Sequence, residues 1–298
     1  MEGIEEAEAE AAEAIVKSRT GAGVLGELPP AMRPFDEAGA YRVQRQAHVL
    51  LESAGFGPRA GWKIGCTTRT MQEYLGVPNP CAGGMFSAHI WRGHHRYRLK
   101  PLRRLGVECE LAVRLGHDLG TGRGWWSEIG VASAVAACMA AIEVVEDRYE
   151  DYSALGCETL IADDFFHHSC VLGPEHEGFD PTALRNTMAT MWVNGREVGR
   201  GRGADVMGEP LAALGWLANS CADRGFPLKA GELVLLGSVV QTQWVGPGTK
   251  SRSRTTGSVR LVQPSRRAPL RPKVAARLGT PIKRQQWASY GQQCKIGV

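Results

Sequence analysis

Val107-Glu108-Cys109-Glu110-Leu111-Ala112-Val113-Arg114-Leu115 decides how this chain is read. The alternation is that of a β-strand, with Val107, Cys109, Leu111, Val113 and Leu115 on one face and Glu108, Glu110, Ala112 and Arg114 on the other. Two carboxylates at i and i+2 therefore point the same way. Bare like charges side by side are costly to bury, so the pair is either the wet face of an antiparallel strand or part of a cation site. Hard divalent ions take oxygen ligands and keep water or substrate in the remaining positions, so two or three carboxylates suffice. Glu143 is the candidate third ligand, because a lone charge in the apolar strand Ala141-Ile142-Glu143-Val144-Val145 is otherwise unexplained.

Outward from this strand, Val131 to Ala141 is an Ala-rich run that predicts a buried helix feeding the strand at 142–145. Ile4, Ala7, Ala11, Ala14 and Ile15 recur at helical spacing and predict a surface helix, followed by a Gly- and Pro-containing connection over 21–34. Phe35 to Ala54 places Ala40, Val43, Ala47, Leu50, Leu51 and Ala54 on one face and stops near Gly55, which predicts a second helix. Asn194-Gly195 between Thr190–Val193 and Arg196–Gly199 predicts a type I′ hairpin. Pro210 and Gly225 punctuate a helix over 209–224, and Glu232 to Leu236 predicts a buried strand ending at Gly237-Ser238. Strands outnumber helices after residue 60 without regular β–α alternation, so the class is α+β with a β-rich core.

The chain has 298 residues, 43% apolar and 22% charged, which excludes disordered, collagen-like and coiled-coil classes. No apolar run approaches the roughly 20 residues of a membrane helix. Met1 to Glu13 holds six Glu and no base, unlike a secretory or organellar signal, so a cytoplasmic protein is expected. Eight scattered Cys show no CxxC spacing, which argues against a disulfide framework or a zinc ribbon. The net charge of +4 comes from the end of the chain: residues 265–298 hold eight Lys or Arg and no acid, leaving 27 basic and 31 acidic residues before them. Such a tail reads as a solvated appendage or subunit-contact arm, and no nucleic acid or membrane partner is expected. Gly199-Arg200-Gly201-Arg202-Gly203 follows a hairpin and lacks the strand–loop–helix context of a phosphate loop. His89, His94, His95 and His117 have no ligand-like spacing and read as surface residues.

Gly61-Trp62-Lys63-Ile64-Gly65, Met71-Gln72, Leu75-Gly76-Val77, Val107 to Ala112, Ala141 to Val145 and Ile161-Ala162-Asp163-Asp164 together resemble the hydratase/decarboxylase branch of the fumarylacetoacetate hydrolase superfamily. The match continues through Val171-Leu172-Gly173, Asn194-Gly195, Leu217-Ala218-Asn219, Leu228-Lys229-Ala230-Gly231 and Gly237-Ser238, in the family's order over about residues 10–262. The resemblance implies a mixed β-roll or barrel with N-terminal helices: a helical segment over 1–58, the catalytic domain over 59–264 and a basic tail over 265–298. It also implies Mg2+ or Mn2+ held by Glu108, Glu110 and Glu143. Lys63 would bind substrate and stabilise developing negative charge, with Asp163 and Ser238 contacting substrate.

Two departures stand out. Where the family usually has a Pro followed by a proton-transferring Asp, this chain has Pro80-Cys81, and a thiol serves as a base at neutral pH only if its pKa is lowered. Where, after Ala162-Asp163, the family has small residues and Ser, this chain has Asp164-Phe165-Phe166-His167-His168-Ser169. Cys81, His167 and His168 are therefore the candidate acid/base groups, the imidazoles because they titrate near neutrality. The resemblance implies a homo-oligomeric lyase that hydrates a 2-hydroxy-2,4-dienoate or its 2-oxo tautomer, a small acid released by catechol meta-cleavage. The alternatives are a 4-oxalocrotonate-type decarboxylase, an acylpyruvate C–C hydrolase, a tautomerase or a family member that has lost catalysis.

Overall fold

The computed structural model describes residues 2–21, 23–98, 100, 103–120, 126–256 and 291–297. In chain order the elements are α1 (Glu2–Thr20), α2 (Glu37–Leu51), β1 (Arg59–Gly65), α3 (Arg69–Leu75), β2 (Cys81–Phe86), β3 (Ile90–Arg92), β4 (His94–Arg96), β5 (Arg104–Leu115), α4 (Glu128–Ala132), β6 (Val135–Asp147), α5 (Cys157–Ala162), β7 (His167–Leu172), β8 (His176–Glu177), β9 (Met188–Val193), β10 (Arg196–Arg202), α6 (Pro210–Asp223), β11 (Leu233–Val245), β12 (Lys250–Thr256) and β13 (Gly291–Gly297). The larger sheet runs β2-β1-β11-β5-β6-β7-β3, with β8 paired to β6, and the smaller runs β10-β9-β12-β13-β4. Both contain parallel and antiparallel pairs, so this is the expected mixed, α+β architecture.

The decisive stretch is β5, at the middle of the larger sheet between β11 and β6. Its second face is not wet: Glu110 and Ala112 are as buried as Leu111 and Val113, and only Glu108 and Arg114 are half-exposed. The Ala-rich run is no helix. After the short α4, Val135 to Ala141 continues straight into β6, which pairs with β5 from Leu115↔Val135 to Arg104↔Asp147. Alanine's helical preference is under ~1 kcal/mol per residue, and bonded neighbour strands together with two-sided burial outweigh it. Small side chains suit a strand packed on both faces, and the fully buried Ile142 of β6 adds roughly 1.5–3 kcal/mol.

The first helix is half-buried rather than superficial, with Ala11, Ala12 and Ile15 sealed into the same core as Val107 and Val234, while Ile4 stays exposed. In α2, Ala40, Val43, Ala47 and Leu51 face inward, but Leu50 is 36% exposed and Ala54 lies beyond the helix, in a turn where Gly55 has φ of 94°. The hairpin forms as expected, with φ of 52° at Asn194 and 82° at Gly195. So does α6, with Glu209 as its cap. β11 runs on past Gly237-Ser238 to Val245 because register shifts there let it follow β5 along its length. Residues 257–264 of the segment read as the catalytic domain, and 265–290 and 298 of the segment read as a tail, lie outside the described residues. Gly291–Gly297 is a strand whose backbone pairs with β12 and β4. Among the described residues no helix is long and apolar enough to cross a membrane.

Candidate metal centre and active site

The pleat brings three carboxylates together without any loop. Glu108 and Glu110 leave one face of β5, and Glu143 on β6 stands opposite Glu108 in the antiparallel register. Ligand oxygens from all three lie within 4.8 Å of one another, and Glu110 and Glu143 are each 1% exposed. Their neighbours on β11 complete the cradle: the Gly237 N–H donates to Glu110 Oε2 at 3.0 Å and the Thr242 hydroxyl to Glu108 Oε1 at 2.5 Å. Gly237 has φ of 123°, and a Cβ there would lie 2.5 Å from Thr67 Oγ1, so no other residue fits without strain.

Lys63 reaches in from β1, 3% exposed. Its Nζ donates to the Phe165 carbonyl at 2.7 Å and stands 3.5 Å from Glu143 Oε1. His167, at the start of β7, places Nδ1 2.7 Å from the same Glu143 oxygen. Burial, followed by the Glu143 charge, pushes Glu108 up to about 7 and Glu110 well above the carboxylate range. Glu143 goes the other way, to about 2, because Lys63 and the His167 hydrogen bond outweigh its burial. Lys63 is likewise raised despite its burial, by Glu143, Glu108 and Glu110, so it remains an ammonium.

With all three carboxylates deprotonated, as ligation requires, one ammonium leaves two negative charges in a buried site, which a divalent cation neutralises. The donor set is all oxygen, as hard cations require, so the residues fit the metal. Metal affinity is expected to fall as pH drops below about 7, because the cation must then displace the proton of Glu108 as well as that of Glu110, which is raised well above the carboxylate range. Mn2+ titrations at successive pH values check this, with a loss of roughly tenfold per pH unit for each proton displaced. Affinity that stays flat down to pH 5 would show that these carboxylates are not ligands.

Beside the centre lies a cavity of about 220 Å3 lined by residues that include Arg19, His89, Lys100, Arg148, His167 and His168. His89, read from sequence as a surface residue, is therefore a wall of this cavity. Burial, then the Arg19 charge, holds it down at about 4, and its Nδ1 is buried without a hydrogen-bond partner among the described residues. His94 and His117 are exposed, while His95 stacks on Trp91 at 3.7 Å. The buried His167 Nε2 also lacks a hydrogen-bond partner among the described residues. His168 is fixed by Ser169 Oγ, 2.8 Å from its Nδ1, and burial holds its pKa well below the usual value.

The remaining sequence candidates hold other partners, although Ser238 stands opposite Glu110 in the β11–β5 register. Asp163 is fully buried, and its Oδ2 accepts from Arg148 Nε at 2.7 Å and the Tyr149 hydroxyl at 2.8 Å. The Ser238 hydroxyl donates to the Val240 carbonyl at 2.6 Å. Cys81 is 1% exposed, and hydrogen bonding to the Cys157 and Cys66 thiols together with burial pushes its own thiol far up, so it stays protonated. Sequence reasoning passed over Asp164, Arg19, Lys100, Arg148 and Thr242. Asp164 stood in a quoted motif beside Asp163, but nothing local marked the others.

Residues 87–264 match the model of the fumarylacetoacetate (FAA) hydrolase C-terminal domain. Over 215 residues the chain is 32% identical to the 2-keto-4-pentenoate hydratase of Paraburkholderia phymatum, covering 72% of this chain and 80% of that protein. It is likewise 32% identical over 206 residues to the 2-hydroxyhexa-2,4-dienoate hydratase of Comamonas testosteroni, covering 67% and 75%. The solved 4-oxalocrotonate decarboxylase from Pseudomonas putida G7, complexed with magnesium and adipate, superimposes with a TM-score of 0.77 at 25% identity, covering 84% of this chain and 94% of that one. With the three-glutamate centre on β5 and β6 inside the matched residues, and relatives this similar over most of their length, the chain belongs to the fumarylacetoacetate hydrolase family.

Proposed function

We propose that the protein is a lyase, dependent on Mg2+ or Mn2+, that adds water to a 2-hydroxy-2,4-dienoate or its 2-oxo tautomer to give a 4-hydroxy-2-oxo acid. The observation that carries this reading is the buried Glu108, Glu110 and Glu143 cluster with Lys63 beside it, and hydratases lead the curated relatives. Glu108, Glu110 and Glu143 would hold the cation, which when bound supplies a Lewis acid that polarises the oxygens of a 2-oxo acid. The Lys63 ammonium stabilises negative charge growing on the substrate oxygen in a site from which bulk water is excluded. His167, which burial keeps neutral, donates Nδ1–H to the ionised Glu143, so its Nε2 lone pair faces the cavity. There it accepts a hydrogen bond from the water that adds at C4 and orients it. Cys81 stays a thiol and supplies no base, and Asp163 acts by holding Arg148 against the cavity. The Ser238 hydroxyl, held by Val240, meets substrate only as an acceptor. The reading includes a cytoplasmic homo-oligomer, and light scattering of the purified protein tests the assembly.

Ultraviolet decay of 2-hydroxypenta-2,4-dienoate with Mg2+, stopped by excess chelator, is the expected result. Undiminished decay under chelator, or no decay with metal bound, would sink the proposal. One observation favours a second reading, decarboxylation of a 2-oxo-3-enedioate. Arg19, Lys100 and Arg148 line the cavity, and among the described residues Lys100 donates only to the carbonyls of Arg19 and Gly21, which leaves its charge free for a second carboxylate. Decay of 2-hydroxymuconate alone would select that reading.

A further inference from the structure

Asp164, Phe165 and Phe166 follow α5 with φ of 55°, 50° and 65°. Three consecutive left-handed residues, two of them aromatic, persist only where their surroundings over-determine them. Asp164 does the holding. Its Oδ1 accepts from the Gly84 N–H at 2.7 Å and meets His48 Nε2 at 2.7 Å, and its Oδ2 accepts from Arg19 Nη1 at 2.5 Å. Its carbonyl accepts from the His167 N–H at 3.0 Å. The turn delivers the Phe165 carbonyl to Lys63 Nζ at 2.7 Å and starts β7 where His167 reaches Glu143. Arg19 comes from α1 and His48 from α2, both outside the residues matched by the family model.

We propose that Asp164 is a positioning residue for Lys63, acting through this left-handed turn, and that α1 and α2 thereby belong to the catalytic apparatus. A lysine stem is flexible, and the Phe165 carbonyl is the neutral acceptor that anchors its end. Without it the ammonium is free to close the 3.5 Å gap to Glu143 and spend its charge on a metal ligand instead of the substrate. This inference rests on the reading in which Lys63 meets substrate.

The test is a double-mutant cycle with the Mg2+-loaded protein: wild type, Asp164→Asn, Lys63→Met and the pair. Asparagine keeps the size and tolerates the left-handed backbone. Turnover of the dienoate and the affinity for oxalate, a probe of the substrate's carboxylate end, are read on all four. Asp164→Asn is expected to lower kcat by roughly 10–100-fold, the usual cost of removing a supporting partner, and to weaken oxalate binding. Mg2+ affinity should change by less than about twofold, and in the Lys63→Met background the same substitution should change neither readout by more than about twofold. Equal losses in both backgrounds would make Asp164 a purely structural residue and overturn the proposal, as would a loss of Mg2+ affinity. A wild type inert on dienoates would defeat the functional reading, while the oxalate cycle would still test the positioning. If Asp164→Asn does not fold, Arg19→Gln carries the same cycle, with Arg19→Lys expected to restore most of the loss.

Discussion

Glu143→Gln lowers divalent-metal affinity by more than about 100-fold, beyond the usual cost of losing an outer partner, and turnover falls below detection. Glutamine keeps the shape and can still pair with His167, so the fold has no reason to fail. What changes is the charge. Glu143 is the carboxylate that Lys63 and His167 hold ionised, whereas burial and the Glu143 charge raise Glu108 to about 7 and Glu110 well above the carboxylate range. Removing it takes away the charge that is present before any cation arrives, and a neutral amide is a poor substitute for a carboxylate toward a hard ion. Calorimetric titration of Mg2+ or Mn2+ into wild type and variant reads the effect directly. Wild-type affinity in the variant would remove Glu143 from the ligand set and leave its burial beside Lys63 without a purpose.

Lys63→Met separates charge stabilisation from metal binding. Turnover should fall by roughly 10²–10³-fold, the range seen when one preorganised donor to a developing oxyanion is lost. Metal affinity should hold or rise, because the three carboxylates lose the only ammonium set against them among the described residues. Methionine also fills the space of the buried stem, which limits the cavity left behind. The pairing of the two outcomes is the informative part. A variant that loses metal and turnover together would place Lys63 in the architecture of the carboxylate cluster instead of in the chemistry.

Sequence alone made Glu108 and Glu110 neighbours, since period-2 geometry puts residues i and i+2 on one face of any strand. It also nominated Glu143, because a charge inside an apolar strand needs a partner, and register does the rest by setting Glu143 opposite Glu108. The hairpin at Asn194-Gly195 and the helix after Pro210 were legible for the same local reason: backbone conformation there follows from the residues themselves. The Ala-rich start of β6 was not, because alanine prefers helix only weakly and the neighbouring strands that override it lie elsewhere in the chain.

The surroundings of the site show the same division. Pro80-Cys81 marked a departure, but only packing against Cys66 and Cys157 reveals that the thiol is kept protonated. His89 carries no distinguishing neighbours in sequence, yet it walls the cavity with His168 because β3 lies beside β7. Arg19, 145 residues from Asp164, becomes its closest cation. The sequence by itself determined the strand class and the carboxylate cluster, whose arrangement depends on short-range geometry and one strand pairing. Only the tertiary structure decided how Lys63 is aimed and what faces the substrate, since charge and burial act through space on groups that the chain keeps far apart.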